Sequence, residues 1–340
     1  MLSGITPLTV LTMGTTEGWP AGIEARPIDK GDAEAWAGLL GAVEKVDQIG
    51  ENYSADDLLE ELGDPHLVAA TETLGLWAGG RMVAYGKVTG PDEVVDVDRV
   101  FAEGCVDPAW RGRGLGGSLM TWLADRATAW HHERHPEAPG EIGTSAISTN
   151  SSAIRLFESR DFATSRYFFQ MERFLGTEPV PASPVADGLR LVTYDLSYDE
   201  ALRLTHNEAF REHWGSSPRD PDSWKTWFTG SRAFRGTQSY LVLDGDKIVA
   251  YVLGYEYEAD TAVTGIRELY VGQVGTRSDY RGRGIARAVL ARVLTEAEQS
   301  GFQRVSLGVD ADNPTGALGL YEKLGFQTTH KNINYSLPIK

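Results

Sequence analysis

The sequence predicts a mixed α/β fold built twice: two tandem domains, each a central mixed sheet with a splayed parallel strand pair flanked by helices. The loop Arg111-Gly-Arg-Gly-Leu-Gly116 recurs, at one constant offset, as Arg281-Gly-Arg-Gly-Ile-Ala286. Each loop follows an apolar strand and opens a helix whose apolar residues match in order: Leu115, Leu119, Met120, Leu123 and Ala127 against Ile285, Val289, Leu290, Val293 and Ala297. That spacing of three and four turns one stripe of each helix toward a core. Further along, a strand, a polar turn and a second helix repeat: Ile142–Ile147, Asn150 and Ala153–Phe162, then Val305–Val309, Asn313 and Ala317–Phe326.

The chain divides in order. Residues 1–21 read as a leader; Met1–Met13 is partly apolar, lacks Lys or Arg ahead of the apolar part, and is too short to span a bilayer. The N-terminal domain, 22–175, starts with a strand at Ile23–Ile28 and helical segments at Ala33–Val46 and Ala55–Leu62. A strand pair at Leu67–Thr73 and Met82–Val88 and a long fourth strand at Val94–Val106 lead to the first loop. Gly176–Gly188 carries Pro179, Pro181 and Pro184 and no periodic apolar face, which suits a semi-rigid linker. The C-terminal domain, 189–340, repeats the order: strand Leu189–Tyr194, helical segments Asp199–His213 and Pro221–Phe228, strands Tyr240–Leu243 and Ile248–Tyr257, and a fourth strand Val263–Thr276.

Composition narrows the function. With 340 residues, 41% of them hydrophobic, the chain can bury two cores of ordinary size. A net charge of -16 disfavours nucleic acid, whose binding relies on clustered Lys and Arg, and suits an amine. The single Cys105 excludes an intramolecular disulfide and falls on the fourth strand, where a packing role is expected. No metal is expected, because the His residues show no ligand spacing; His131, His132 and His135 sit where a helix end would favour positive charge.

A Gly-rich turn that opens a helix leaves backbone N–H groups unpaired and aimed outward, where the helix dipole also favours an anion. A phosphate fits such a place. Gly284 lets the backbone approach closely, Ala286 leaves room, and Arg281 and Arg283 can add charge-assisted bonds. A surface turn with solvated arginines would read the same way singly; two equivalent copies favour phosphate.

With these motifs the chain resembles the GNAT N-acetyltransferase superfamily, whose signature is R/Q-x-x-G-x-G/A on the pyrophosphate loop and N-x-x-A-x-x-x-Y-x-x-x-x-F beyond it. The resemblance covers nearly all of both halves, and the tandem layout is similar to the mycothiol synthase branch, in which the C-terminal half carries the chemistry. It implies acetyl-CoA as cofactor, with its pantetheine in the gap where the fourth strand splays from the fifth. Val274, Gly275 and Thr276 would pair with pantetheine. The segment Arg281, Gly282, Arg283, Gly284, Ile285, Ala286 and Arg287 would hold pyrophosphate, and Asn313 would touch the cofactor. Gly104, Cys105 and Val106, then Arg111, Gly112, Arg113, Gly114, Leu115 and Gly116, and Asn150 take the same places in the first half. A cytoplasmic enzyme, monomeric or homodimeric, with no nucleic-acid or membrane partner, would follow.

Acetyl transfer needs a neutral amine, a donor for the developing oxyanion and an acid for the departing thiolate. Tyr321 is placed to be the acid, because a phenol titrates near ~10 and stays protonated at neutral pH. Phe157 holds the equivalent place and has no proton to give, so the first half is expected to be non-catalytic. One insertion departs from the family pattern, since four residues rather than three separate Asn313 from Ala317. Glu268 is the carboxylate on the segment Ile266–Thr276, and a regular strand would put it on the same face as Thr276. A bulge would break that parity. Gln273 could polarise a water, Tyr270 stands where related enzymes often carry Glu, and the amine could also arrive neutral.

Glu208, Glu212, His213 and Trp214 fall on the first helices of the second half and their end, where the family's acceptor-binding helices lie. Helix-surface charge and helix-end packing would place the same residue types there. Gly308 stands where the mycothiol synthase branch is expected to carry Tyr, so the small-molecule amine is left open. Two other classes fit less of the sequence. An acyl-CoA sensor or pseudoenzyme would bind without turnover, and a dinucleotide oxidoreductase rests only on Gly112, Gly114 and Gly116, in loops that do not open their domains.

Overall fold

The computed structural model describes residues 18–312 and 316–340. The first half runs α1 (Ala33–Asp47), α2 (Ala55–Glu61) and α3 (Ala69–Glu72) after strand β1 (Glu24–Arg26), then β2 (Thr73–Ala78), β3 (Arg81–Thr89), β4 (Asp98–Val106), α4 (Leu115–Arg134), β5 (Gly140–Ile147), α5 (Ser151–Glu158) and β6 (Ala163–Phe174). The second half runs β7 (Leu189–Thr193), α6 (Asp199–Ala209), α7 (Pro221–Trp224), β8 (Tyr240–Asp244), β9 (Lys247–Tyr255), α8 (Glu258–Thr264), β10 (Glu268–Thr276), α9 (Ile285–Gln299), β11 (Arg304–Asp310), α10 (Ala317–Lys323) and β12 (Gln327–Pro338).

Local chemistry explains where the elements differ from the sequence expectation. The strand expected at Leu67–Thr73 begins only at Thr73. Glu72 turns its carboxylate back to accept the Val68 N–H at 2.7 Å, and Thr73 Oγ1 donates to the Ala69 carbonyl at 2.7 Å, which closes the turn of α3 instead. The expected strand Val263–Thr276 loses its start to α8, which Gly265 terminates in the left-handed conformation (φ 71°).

The described strands form one sheet in the order β1-β2-β3-β4-β5-β12-β6-β11-β10-β9-β8-β7. Each half therefore completes the other. The last strand of the second half, β12, pairs antiparallel with β5, and the last strand of the first half, β6, pairs antiparallel with β11. β6 and β12 pair with each other at the centre. The cores follow the exchange: Tyr335 of β12 is buried in the first-half core, 5.4 Å from the Phe157 ring, while Met171 of β6 is buried in the second-half core. Arg173 of β6 is likewise buried and donates to the carbonyl of Leu324, just beyond α10, and to those of Glu178 (2.8 Å) and Pro179 (3.2 Å). Below, "first lobe" and "second lobe" mean the two half-sheets with their helices.

Within each lobe one parallel pair is short. β4 pairs with β5 only over Asp98–Phe101, and β10 pairs with β11 only over Glu268–Val271. Beyond those points the strands separate, and Ala102–Val106 and Gly272–Thr276 keep hydrogen-bonded partners on one side only. The lobes differ here in one respect. β10 carries a bulge at Gly272 against β9, whereas β4 runs along β3 without a shift.

Polar contacts join the lobes away from the sheet. The backbone and side-chain N–H groups of Asn52 both donate to Asp260 at 2.9 Å, and the Trp227 indole donates to Asp64 at 2.9 Å. His66 Nδ1 lies 2.8 Å from Asp92, and Ser223 Oγ donates to both Asp92 and Asp220.

A chain ended after Phe326 would lack β12 and expose the edges of both β5 and β6. We expect it to lose the cooperative thermal transition of the whole protein, or to aggregate through those edges. Circular dichroism melts on the full and shortened chains check this; an unchanged melting temperature would contradict the role given to β12.

Candidate active site

The two loops adopt one backbone conformation. Gly112 and Gly114 have φ of 74° and 87°, and Gly282 and Gly284 have φ of 75° and 74°, all in the left-handed region that favours glycine. In the first lobe the helix ladder starts with Ser118 N–H to the Gly114 carbonyl (3.1 Å), and in the second with Ala288 N–H to Gly284 (3.1 Å). The N–H groups of Leu115, Gly116 and Gly117, and of Ile285, Ala286 and Arg287, precede that first bond and have no intrahelical acceptor. Free N–H groups at the positive end of a helix can receive an anion, which makes each turn a candidate cradle. Leu115 and Ile285 bury their side chains in the cores, so only their backbone faces the cradle.

The loop arginines brace the loops. Arg111 Nε donates to the Val106 carbonyl at 3.1 Å and Arg281 Nε to the Thr276 carbonyl at 3.2 Å, so each ties its loop to the end of its splayed strand. Arg113 donates to the Ala109 carbonyl (3.0 Å) and lies over the Trp110 ring; Arg283 donates to the Asp279 carbonyl (2.7 Å) and lies over the Tyr280 ring. The remaining guanidinium groups reach the helices ahead of the sheet. Arg111 makes a bidentate pair with Asp47 at 2.7 and 2.8 Å, and Arg281 donates to the Ala209 carbonyl at 2.8 Å. Arg287 is half-buried, and its Nε has no partner among the described residues.

Above the second loop, Val274, Gly275 and Thr276 lie on the unpaired side of the splay. Gly275 can be nothing larger, because a Cβ there would lie 2.2 Å from the Tyr251 ring. Tyr251 is fully buried, and its hydroxyl meets His206 Nδ1 at 2.6 Å. In the first lobe, Gly104, Cys105, Val106, Arg111, Gly116 and Asn150 line a cavity of about 560 Å³, within the range of small-molecule sites. Burial pushes the Cys105 thiol well above its ordinary range, which keeps it protonated. Asn150 caps α5, accepting the Ala153 N–H at 3.1 Å, and donates to Asp47 at 3.2 Å. Its counterpart Asn313 lies outside the described residues.

Tyr321 and Phe157 occupy matching places. Each is buried on the helix after the fifth strand, with an aromatic five residues on: Phe326 at 6.0 Å from Tyr321 and Phe162 at 6.1 Å from Phe157. Burial, and secondarily the neighbouring Tyr270, pushes the Tyr321 phenol up to about 12, so it holds its proton at neutral pH. Glu268 stands at the start of β10 with its carboxylate accepting from Arg304 and Ser306 of β11; Arg304 also pairs with Glu172 of β6 at 2.9 Å. The bulge at Gly272 breaks the strand parity that would put Glu268 on the face of Thr276. Gln273 accepts the Tyr255 hydroxyl at 2.8 Å.

The four acceptor candidates stand apart from one another. Glu208 pairs with Arg277, and exposed Glu212 lies 3.8 Å from Arg281. His213 Nδ1 meets the Trp214 carbonyl at 3.1 Å. The Trp214 ring has the guanidinium groups of Arg99 and Arg166 at 5.0 and 5.3 Å, so it contacts the first half of the chain. The sequence reading missed Glu103, the first-lobe counterpart of Gln273, although the constant offset between the loops aligns them. It also found no metal set; His66, Asp92 and Asp220 bring ligand-type atoms within 4.8 Å of one another, though no two of them are close in sequence. His131 Nδ1 meets buried Asp98 at 2.6 Å, which ties α4 to the start of β4. No helix among the described residues is long and apolar enough to cross a membrane.

Comparison with known proteins places this geometry. The acetyltransferase (GNAT) family model matches residues 42–162 and 200–326. A mycothiol acetyltransferase of Salinispora tropica is 29% identical over 323 residues, 90% of this chain and 92% of that one. The crystal structure of a GCN5-related N-acetyltransferase from Sphaerobacter thermophilus superposes with a TM-score of 0.73 at 28% identity, covering 94% of this chain and 97% of that one. A tandem GNAT protein from the clavulanic acid biosynthesis pathway shares the fold, with a TM-score of 0.69 at 15% identity over 94% of this chain and 99% of that one.

Two outcomes are expected from the site's geometry. Gly284→Asp puts a negative side chain at a left-handed position beside the cradle, where backbone strain adds to repulsion of an anion. Calorimetric titration with CoA should then lose the second-lobe site, and unchanged stoichiometry and affinity would remove the cradle assignment. Burial, and then the nearby Arg219 and His213, pulls His206 down to about 3. An unfolded imidazole protonates near ~6.5, so as pH falls below that value the unfolded state binds a proton that the folded state refuses, and stability falls by up to ~1.4 kcal/mol per pH unit. Denaturant titrations between about pH 6 and pH 4 should show a shallower loss for His206→Phe than for the native chain; parallel curves would overturn the assignment.

Proposed function

The chain belongs to the acetyltransferase (GNAT) family, and on that premise we propose that it moves the acetyl group of acetyl-CoA to a small-molecule amine in its second lobe. The observation that carries the choice of lobe is the pair Tyr321 and Phe157, one phenol and one bare ring at equivalent places. The bulge at Gly272, absent from β4, supports the same choice, since bulges re-aim side chains beside active sites.

Acetyl-CoA supplies the thioester; the residues of the chain hold it and move the proton. The free N–H groups of Ile285, Ala286 and Arg287 bind pyrophosphate, and the unpaired side of Val274–Thr276 offers backbone groups to the pantetheine amides. In this reading the amine nitrogen attacks the thioester carbon, the C–S bond breaks, and the Tyr321 hydroxyl gives its proton to the departing sulfur. The high proton affinity of Tyr321 makes it an acid that is always loaded and is recharged by solvent or by the proton the amine gives up. Glu268 already accepts from Arg304 and Ser306. We assign it to bracing the first rung of the β10–β11 pair, three residues before the splay begins, and the amine enters neutral or loses its proton to water.

The acceptor is a small amine. Likeness to mycothiol acetyltransferases supports a polar, sugar-sized one, while Gly308 leaves a space bounded by the Tyr270 hydroxyl, 3.4 Å from where a Cβ would stand. Glu208 and Glu212 flank the loop through Arg277 and Arg281, and with His213 and Trp214 they are the groups we assign to the approach of the acceptor. Binding of acyl-CoA without turnover remains the reading for the first lobe, where Phe157 supplies no proton.

Tyr321→Phe keeps the ring and removes the proton. CoA affinity and melting temperature should be unchanged, while kcat falls by ~10²–10⁴-fold. Thiol release from acetyl-CoA with a panel of amino sugars and amino-acid amides measures this, and Phe157→Tyr should add no activity. A Tyr321→Phe protein with full kcat under chemistry-limited conditions would end the assignment.

A further inference from the structure

Gln273 stands at the start of the splayed stretch of β10, and the ring beside it decides where its side chain goes. A Cβ at Gly272 would lie 2.6 Å from the Tyr255 ring, so that ring fills the place of a side chain at the bulge. Alternation restarts beyond it, with Gln273 opposite Leu253 and Gly275 opposite Tyr251. Leu253, Tyr251 and Tyr255 belong to the core that Leu202 of α6 and Trp224 of α7 close. Gln273 therefore faces the α6 side of the sheet, at the point where β10 leaves β11.

The amide at this point is held one way round. Tyr255 is 3% exposed, and its hydroxyl has one partner among the described residues, Gln273 Oε1 at 2.8 Å. A phenol that cannot reach water gives its proton to the acceptor it has, and burial holds Tyr255 well above its ordinary range, so the proton stays on the phenol. With Oε1 turned to Tyr255, the Gln273 NH2 group is turned away from it. Its two N–H groups have no acceptor among the described residues, yet Nε2 is not sealed in the core. The first lobe shows the contrast. Lys87 and Glu103 face each other across β3 and β4 and form an ion pair at 2.9 Å, where the equivalent places on β9 and β10 carry Leu253 and Gln273. A charged pair in one lobe is thus a neutral pair in the other. An amide whose oxygen is taken presents donors without charge; it does not recruit an ammonium group, but it can select an oxygen.

We infer that Gln273 is a specificity residue of the transfer reaction, donating from Nε2 to an oxygen that the acceptor carries close to its amine, and that Tyr255 is the positioning residue that keeps the amide so turned. Both roles rest on second-lobe transfer as read above. They narrow the acceptor to amines with a neighbouring hydroxyl, ether or carbonyl oxygen, and they set apart plain alkylamines, which would leave the two N–H groups unpaired in the closed site.

Thiol release at saturating acetyl-CoA, with trans-2-aminocyclohexanol and with cyclohexylamine, tests this, because the two amines differ by one hydroxyl. The quantity read is the ratio of their kcat/KM values in a variant relative to the native chain, in which the unequal basicity of the amines cancels. Gln273→Met keeps the length of the side chain and removes its donors. It should lower the preference for the hydroxyl amine by about tenfold, through KM for that amine, with KM for acetyl-CoA and the melting temperature unchanged. Tyr255→Phe frees the amide to turn and should lower the same preference severalfold, and adding it to Gln273→Met should cost no further preference, which a merely structural role for Tyr255 would not produce. A native chain that releases thiol with some amine of the panel but does not favour the hydroxyl amine, or a preference that Gln273→Met leaves intact, overturns the role of Gln273 and leaves transfer standing. Additive losses overturn the role of Tyr255. No release with any amine overturns second-lobe transfer, and both roles with it.

Discussion

The exchange of last strands between the halves is the constraint on which the rest of the structure depends. β12 lies against β5 and β6 lies against β11, so neither splay between a fourth and a fifth strand is anchored by its own half alone. The exchange reaches both candidate sites through side chains. Tyr335 backs Phe157, and Arg173 takes the carbonyl at the end of the helix that carries Tyr321. A buried arginine serving three carbonyls is tolerable only because each contact replaces hydration it would otherwise lose, and together they tie the C-terminal end of that helix to the segment after β6.

Given this frame, the lobes keep one backbone and diverge in side chains. Both loops have left-handed glycines at the same two positions, and both use their arginines as internal braces, down to the ring under the second one. In the proposed reading, anion binding is thereby left mainly to main-chain N–H groups. Chemistry is free to vary around that fixed cradle. One lobe has a phenol, a bulge and an amide at Gln273; the other has a phenyl ring, a regular strand and a carboxylate at Glu103.

The features legible in the sequence were those fixed by local spacing. Paired glycines before an amphipathic helix can adopt few conformations, so the loops and helices α4 and α9 could be read residue by residue, and so could the equivalence of Tyr321 and Phe157. What failed to show was non-local. The strand exchange cannot be read from alternation, because β6 and β12 are interchangeable as patterns and their partners are chosen by packing. The roles of Arg111 and Arg281 depended on carbonyls brought near by folding. Glu268 looked available as a base until the bulge at Gly272 and the nearby Arg304 entered the picture. The start of β2 shifted because Glu72 and Thr73 closed a turn with their side chains, a competition that strand propensity does not register.

The central pairing also sets a timetable for synthesis. Glu141 of β5 finds its partner in Pro338 of β12, a strand made long after it, while β6 has to wait for β11. As the chain leaves the ribosome, the first lobe can assemble its helices and β1–β5, but its sheet stays open at β5 until β12 has followed. An open strand edge invites the wrong neighbour for as long as it lasts. The protein's most exposed moment therefore falls before β12 emerges, and the first lobe, although made first, is the last to close.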